Sequence, residues 1–497
     1  MEGFPHGNVC AKATSKRFNA VSISTKAFVF VIFSLFVGAF ITSRWIDPPF
    51  FLNKLWDSSN KNQPPQPAFA LVCATNQSSS AAANPSIAQP PEPHAPPPTH
   101  PPSSAPACPN YFRWIYEDLK PWASTGITKE TLESAEIHAA FRIVIINGRA
   151  YIRHYHSVFQ TRDTFTIWGI IQLLRRYPGR VPDIDLMFNC EDMPVVLPAV
   201  AGTPPPPLFR YCKDDSTVDI VFPDWSFWGW PEVNIRWWGA LSEELREANE
   251  AHKWSKRKPY AYWKGNPDVA EVRGDLMKCN VTKAVDWKAR LFTVNWENER
   301  RQGFPSSNLA SKCKYRYNIY VEGRAWSVSE KYILACDSPT LYVESKYQDF
   351  VSRGLRPGRH YWPIPRHNKC QAIKQAVERG SDDSRKVQAI GKSGSRFINE
   401  DLKMEKVYEY MLQLLTEYSR LLTYKPTMPE KAVELSMESV ACPFEGKVRE
   451  YLLESVEREP SKSEPCDMPP PFSPQELAEL LMEKDNGAKK VVNALMH

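Results

Sequence analysis

Val181-Pro-Asp-Ile-Asp-Leu-Met-Phe-Asn-Cys-Glu-Asp-Met-Pro194 holds a short apolar run, Asp185 to Phe188, that empties into a polar, acidic loop. The run is too short for a helix and reads as a buried strand. Just upstream, Thr164 to Tyr177 sets Phe165, Trp168, Ile171 and Leu174 at helical spacing and stops at Pro178-Gly179. Before that, Phe141 to Ile146 is β-rich and closes on Asn147-Gly148, a hairpin signal, with Tyr151 to Tyr155 as the partner strand. Downstream, Ile220–Phe222, Tyr260–Trp263, Tyr317–Val321 and Thr340–Val343 read as strands. Helices are predicted over Leu241–Ala251, Val328–Ala335, Gln371–Arg379 and Asp401–Leu422, the last with Met404, Val407, Met411, Leu414, Tyr418 and Leu421 on one face. Strands alternating with helices predict an α/β fold with mostly parallel sheets. The stretch from Cys108 to Tyr424 is large for one sheet, which predicts two α/β lobes.

Composition narrows the class. Of 497 residues, 42% are hydrophobic, enough for a packed core. The 62 basic and 56 acidic residues are spread along the chain, so no basic face for nucleic acid is expected. None of the 11 cysteines forms a C-x-x-C pair, which removes the main zinc-ribbon and thioredoxin signature.

The ends are different in kind. Ala27 to Thr42 lacks any charge, lies between Lys26 and Arg44, and is preceded by Lys12, Lys16 and Arg17. It is read as a single transmembrane signal anchor over residues 27–43, a cleaved signal peptide being the alternative. The positive-inside rule then puts the tail 1–26 in the cytosol and the bulk of the chain in the lumen of the Golgi or endoplasmic reticulum, as a type II membrane protein. Residues 44–107 are rich in Pro, Ala and Ser and read as an extended stem. Asn76 and Asn280 begin glycosylation sequons. The folded region is assigned to 108–424, with lobes of about 108–250 and 251–400 and a closing helix over 401–422. A tail, 425–497, carries a late helix opened by Ser473, Pro474 and Glu476, a capping-box pattern.

No dinucleotide fingerprint, Walker loop, zincin motif or nucleophile elbow is present. Four stretches carry candidate chemistry instead. Asp192 lies four residues beyond Phe188, where open α/β sheets bind ligands, and is placed either as a general base or as an ordinary turn aspartate. Its neighbour Glu191 is expected to point elsewhere. The second stretch, Phe222 to Trp238, packs Trp225, Trp228, Trp230, Trp237 and Trp238 close together, with Asp224 and Ser226 as polar handles. It reads as a platform for sugar or as an aromatic core cluster. The third sets Lys264 and Arg273 about a Gly-Asn-Pro turn, fit for a diphosphate or for solvated surface charge. In the fourth, strand, turn and helix set Arg324, Ser327, Ser329 and Lys331 in an anion-binding pattern between Cys313 and Cys336, which could pair in an oxidising lumen.

Taken together, FRWIYEDLKPW, QTRDTF, LLRRYPGRVPDIDLMFNCEDMP, FPDWSFWGWPE, PYAYWKGNP, EGRAWSVSEKYILACDS and HYWPI resemble glycosyltransferase family 90. This family holds the Rumi-type protein O-glucosyltransferases and the capsule-associated xylosyltransferases, and the likeness is closest to plant membrane-anchored members. The resemblance implies a GT-B-like architecture of two Rossmann-like lobes with a cleft between them. It implies inverting transfer of glucose or xylose from UDP-glucose or UDP-xylose to a hydroxyl of a glycoprotein or polysaccharide acceptor, with no metal and no other cofactor. Asp192 holds the place of the family's base. The donor contacts fall on Trp228, Asn266, Arg273, Arg324, Ala325, Trp326, Ser327, Val328 and Ser329, with Lys331 nearby. The acceptor side is assigned to Asp224, Trp225, Ser226 and Phe227. The best-understood family member has serine at the place of Asn266 and arginine at that of Ser329, which shifts phosphate charge onto Arg324 or Lys331. The alternative is a catalytically inactive relative that binds carbohydrate or a partner in the lumen.

Overall fold

The computed structural model describes Leu71, Cys73 and residues 106–199 and 202–496. The expected cytosolic tail, anchor, almost all of the stem and Asn76 lie outside the described residues. Among the described residues no helix is long and apolar enough to cross a membrane.

Among the described residues thirteen strands form two larger sheets and one small pair. The hairpin β1 (Phe141–Ile146) and β2 (Arg149–His154) is followed along the chain by β3 (Ile184–Phe188), β4 (Leu208–Arg210), the short β5 (Cys212–Lys213) and β6 (Ile220–Val221). The later strands are β7 (Lys258–Gly265), β8 (Ala289–Thr293), β9 (Tyr315–Tyr320), β10 (Thr340–Val343), β11 (Gln348–Asp349), β12 (Trp362–Ile364) and β13 (Val433–Glu434). The first sheet runs β13-β2-β1-β3-β4-β6, and the second runs β12-β10-β9-β7-β8. The second sheet is parallel throughout. The first departs from the mostly parallel expectation, because the tight Asn147-Gly148 turn reverses the chain and β1 pairs antiparallel with both β2 and β3. Only β3, β4 and β6 are parallel there. The pair β11–β5 joins a segment that follows the second sheet to one from the first.

Each sheet has its own core. The first core takes in the helix Arg162–Arg176 and the helix Met404–Ser419, whose Tyr418 hydroxyl donates to the carbonyl of Asp185 at 3.0 Å. The second core is built on β7–β10 and the helix Lys369–Asp382. The helix Ser384–Arg396 was not predicted, since Gly391 and Gly394 weaken its pattern. Packing explains both glycines. A Cβ on Gly391 would come within 2.8 Å of the Asp337 carbonyl oxygen, and one on Gly394 within 2.4 Å of the His360 carbonyl oxygen.

The C-terminal segment is held onto the first sheet. β13 pairs with β2, and Arg149 grips Glu434 through both oxygens at 2.7 and 2.6 Å. The helix Pro474–Met496 begins with the capping box, Ser473 and Glu476 each receiving the other's main-chain N–H. Disulfides join Cys73 to Cys442, Cys108 to Cys466, Cys279 to Cys370, and Cys313 to Cys336. Cys190 and Cys212 are free and buried.

His360 gives the fold a pH dependence. It is buried, stacks on Phe397 at 5.3 Å, and its Nδ1 accepts the Arg356 main-chain N–H at 3.1 Å. Burial, helped by Arg359 and Arg356, pushes its pKa down to about 4. Below about 6.5 the unfolded chain takes up a proton that the folded chain refuses, so stability falls as pH drops from about 6.5 toward 4. The expected loss is at most about 1.4 kcal/mol per pH unit across that window. Urea midpoints at several pH values should show a shallower slope for His360→Asn, which keeps an acceptor but does not titrate.

Candidate active site

β3 ends at Phe188, and the chain turns at once through Asn189 to Asp192. The Asn189 side chain holds this turn. Its oxygen accepts the Glu191 N–H at 2.7 Å and the Arg210 guanidinium at 2.7 Å, and its amide donates to the His138 carbonyl. Cys212 Sγ donates to the Asp192 carbonyl at 3.3 Å. The Asp192 carboxylate is 27% exposed and faces a cavity of about 350 Å³. Arg324, Arg210, His138 and His156 also line that cavity. So does Glu191, against the expectation that it points elsewhere. Arg162, the first residue of its helix, donates through Nη1 to Asp192 Oδ1 at 2.9 Å and to the Cys190 carbonyl at 3.1 Å.

The second half of the chain contributes Arg324 to this cavity. Beyond β9, Gly323 makes a turn in which its N–H donates to the Trp326 carbonyl at 3.1 Å. A side chain there would crowd the same carbonyl, since an added Cβ would lie 3.0 Å from the Trp326 oxygen, with Arg273 Nη2 at contact distance. Arg273 donates through Nε to the Glu322 carbonyl at 2.8 Å and through Nη2 to Ser327 Oγ at 3.0 Å. Burial lowers its pKa, and the Asp192 carboxylate is among the charges acting against that shift, so the two groups sense each other. Ser327 Oγ is 2.8 Å from Ser329 Oγ. Arg324 is exposed and makes no ion pair among the described residues. Ala325 and Trp326 are buried, and the Trp326 ring lies 5.5 Å from Tyr211 and 6.1 Å from Trp225, so it packs against the first half of the chain. Val328 and Ser329 are half-buried.

Several expected contacts are placed elsewhere. Trp228 is fully buried, its indole N–H donates to the Tyr408 hydroxyl at 2.9 Å, and its ring covers Gly169. Asp224, Trp225, Ser226 and Phe227 are likewise buried, so the tryptophan-rich stretch is core and does not present a platform. Lys331 is 1% exposed and donates to Ser226 Oγ at 2.6 Å, with Asp224 at 3.5 Å and the Phe227 ring at 4.5 Å. Burial lowers its pKa and Asp224 opposes this, so its charge is already matched inside the protein. Asn266 caps the Pro267–Val269 turn by accepting the Asp268 N–H at 2.9 Å. Lys264 donates to the Ser306 carbonyl and does not join Arg273. The Asn280 amide donates to the Leu291 carbonyl at 2.9 Å.

The structure thus gathers Asp192 and Arg324 around one cavity. Arg273, Ser327 and Ser329 are linked to one another by hydrogen bonds but do not line it, and Ser329 borders a second cavity with Lys264 and Tyr332. Sequence reasoning missed Arg162, Arg210, His138 and His156. Only the burial of the arginines, a tertiary property, sets them apart from surface charge. Among the described residues no cluster of His, Cys, Asp or Glu is placed to hold a metal ion. Chemically, the site offers a half-open carboxylate facing cationic groups that can meet a departing anion.

A sequence model of the family described as glycosyl transferase family 90 matches residues 103–494. The chain is 28% identical over 343 residues to protein O-glucosyltransferase 1 of Bos taurus, covering 66% of this chain and 84% of the relative. To the human protein of that name it is 27% identical over 343 residues, with 66% and 84% covered. To O-glucosyltransferase rumi of Drosophila melanogaster it is 26% identical over 333 residues, with 64% and 78% covered.

Proposed function

This chain belongs to glycosyl transferase family 90 and is a glycosyltransferase, and on that basis we propose that it moves glucose or xylose from a UDP-sugar to a hydroxyl of a protein or glycan acceptor. The relatives' names, protein O-glucosyltransferase 1 for two and O-glucosyltransferase rumi for the third, favour glucose and a protein acceptor. The observation that carries the reading is Asp192, held beyond the carboxyl end of β3 and open to a cavity shared with Arg324. The two sheets are read as the Rossmann-like lobes of a GT-B enzyme, about 108–250 and 251–400. The helix Met404–Ser419, which packs in the first core, is read as the closing element.

In this reading Asp192 takes the proton of the acceptor hydroxyl as its oxygen bonds to the anomeric carbon. The bond from that carbon to the phosphate oxygen breaks on the opposite face, which inverts the centre. Charge developing on UDP is met by Arg324, by Arg273 through its neighbours Ser327 and Ser329, and by main-chain N–H groups, so the scheme calls for no metal. We place the enzyme in the Golgi or endoplasmic reticulum membrane as a type II protein, supported by the uncharged run Ala27–Thr42 and by four disulfides among the described residues.

The test is UDP release with UDP-glucose and UDP-xylose in parallel, beside UDP binding by calorimetry. Because Arg324 is exposed and makes no ion pair among the described residues, Arg324→Ala should fold normally and bind UDP about tenfold to a hundredfold more weakly. Wild-type protein that binds UDP but turns over neither donor, with or without glycoprotein acceptors, would point to a binding-only relative. Absence of UDP binding would sink the reading.

A further inference from the structure

We propose that Arg162 is a positioning residue for Asp192, and that the tryptophan-rich segment Trp225–Glu232 serves the reaction by holding Arg162 and not by touching sugar. The proposal rests on Asp192 being the base. Its geometry is independent of that reading.

Arg162 is 5% exposed, although a charge at the start of a helix ordinarily sits in solvent. Its Nη1 links two points of the catalytic turn, the Cys190 carbonyl and Asp192 Oδ1. That contact leaves Oδ2 without a hydrogen bond among the described residues, on a carboxylate that borders the cavity. A carboxylate swinging freely about its side-chain torsions would seldom point an oxygen at an acceptor hydroxyl. One pinned through Oδ1 presents the other oxygen in a single direction.

The guanidinium is itself held by rings. Its central carbon lies 4.6 Å from the Trp225 ring centre, 5.2 Å from Phe159 and 6.0 Å from Trp230. Its Nε is buried without a hydrogen-bond partner, so aromatic faces do part of the work that polar partners ordinarily do. Trp225 and Trp230 meet edge to face at 5.0 Å and keep each other in place.

The same segment fixes the backbone from which Arg162 springs. The Glu232 carboxylate accepts the Thr161 N–H and the Thr161 hydroxyl, each at 3.0 Å. The Trp230 indole N–H donates to the Gln160 side chain at 2.8 Å. Gln160 is in the left-handed region, φ 58°, a conformation that a non-glycine residue keeps only when its surroundings enforce it. Three residues of one short stretch, Trp225, Trp230 and Glu232, therefore converge on Gln160, Thr161 and Arg162. That accounts for a concentration of tryptophan that packing alone does not require.

The test compares Arg162→Met, Arg162→Lys and Trp225→Leu with wild type, reading kcat for UDP release, KM for the donor and the Kd for UDP. Arg162→Met should lower kcat by about 10²-fold with KM and Kd unchanged, because the donor-binding wall is untouched. Arg162→Lys, which keeps the charge but loses the planar fork, should recover part of the loss. Trp225→Leu should lower kcat by more than it weakens UDP binding, since Trp225 also packs 6.1 Å from Trp326 in the donor segment. Parallel loss of kcat and UDP binding, or Lys performing no better than Met, would overturn the proposal. Should Arg162→Met fail to fold, the Lys and Trp225 variants decide it on the same readouts. Asp192→Asn separates the two levels. If it is inactive while the Arg162 variants are normal, only the positioning role falls; if it is fully active, the base assignment falls and the proposal with it.

Discussion

Asp192→Asn is expected to lower the rate of UDP release by about 10²–10⁴-fold while leaving UDP binding intact. The substitution is close to isosteric. The asparagine oxygen can still accept the Arg162 Nη1 hydrogen at the place of Asp192 Oδ1, so the turn from Asn189 onward keeps its shape. What is lost is the ability to accept a proton. The donor wall at Arg273, Ser327 and Arg324 is on other elements and does not depend on the carboxylate for its hydrogen bonds. Steady-state UDP release and calorimetry on the same preparation check this. Glu191→Gln is the companion variant, since Glu191 borders the same cavity. A large loss in Glu191→Gln with Asp192→Asn harmless would transfer the base to the neighbouring residue and favour a hydrolytic site.

Arg353→Met is expected to destabilise the folded domain by about 3–5 kcal/mol. Asp118, in the short helix Trp114–Leu119, is completely buried. Both Arg353 nitrogens Nη1 and Nη2 grip its carboxylate, the second at 2.6 Å, and Lys213 Nζ reaches it at 2.8 Å. Burial alone would raise the Asp118 pKa. The charges of Arg353 and Lys213 outweigh it and hold the carboxyl below its ordinary range. Removing Arg353 leaves a buried carboxylate with a single cation that is itself partly exposed. The cost is mostly that of the unmatched charge, so Asp118→Leu combined with Arg353→Met should recover a large part of it. Denaturant unfolding of wild type, Arg353→Met and the double variant checks this; equal losses in the single and double variants would refute it. The sign with pH follows from the lowered pKa. The stabilisation is complete above the unfolded carboxyl value, about 3.9, and disappears as pH falls through the folded value below it.

Local elements were legible because they obey local rules. Phe141–Ile146 and Thr340–Val343 are strands over the residues their β-rich runs marked. The capping box at Ser473 opens its helix, and Asp192 stands beyond the carboxyl end of its strand. Each depends on residues a few positions apart, whose periodicity and hydrogen-bonding capacity are written along the chain. The family likeness was legible for the same reason, as an ordered set of short phrases.

Charge pairing and burial were not legible, because they join residues far apart. Lys331 looked like a phosphate ligand until the fold placed it against Asp224, 107 positions away. The tryptophans read equally well as a sugar platform or a core cluster, and the packing of Trp228 on Tyr408 and Gly169 decides for core at that residue. Gly391 and Gly394, poor helix formers by propensity, are what lets a helix approach the backbone at Asp337 and His360. Arg162 carries no local signal that sets it apart. Whether an arginine faces water or pins a carboxylate is set by which side chains the fold brings over it, and that is a free-energy balance over the whole core, not a property of the residue and its neighbours in the chain.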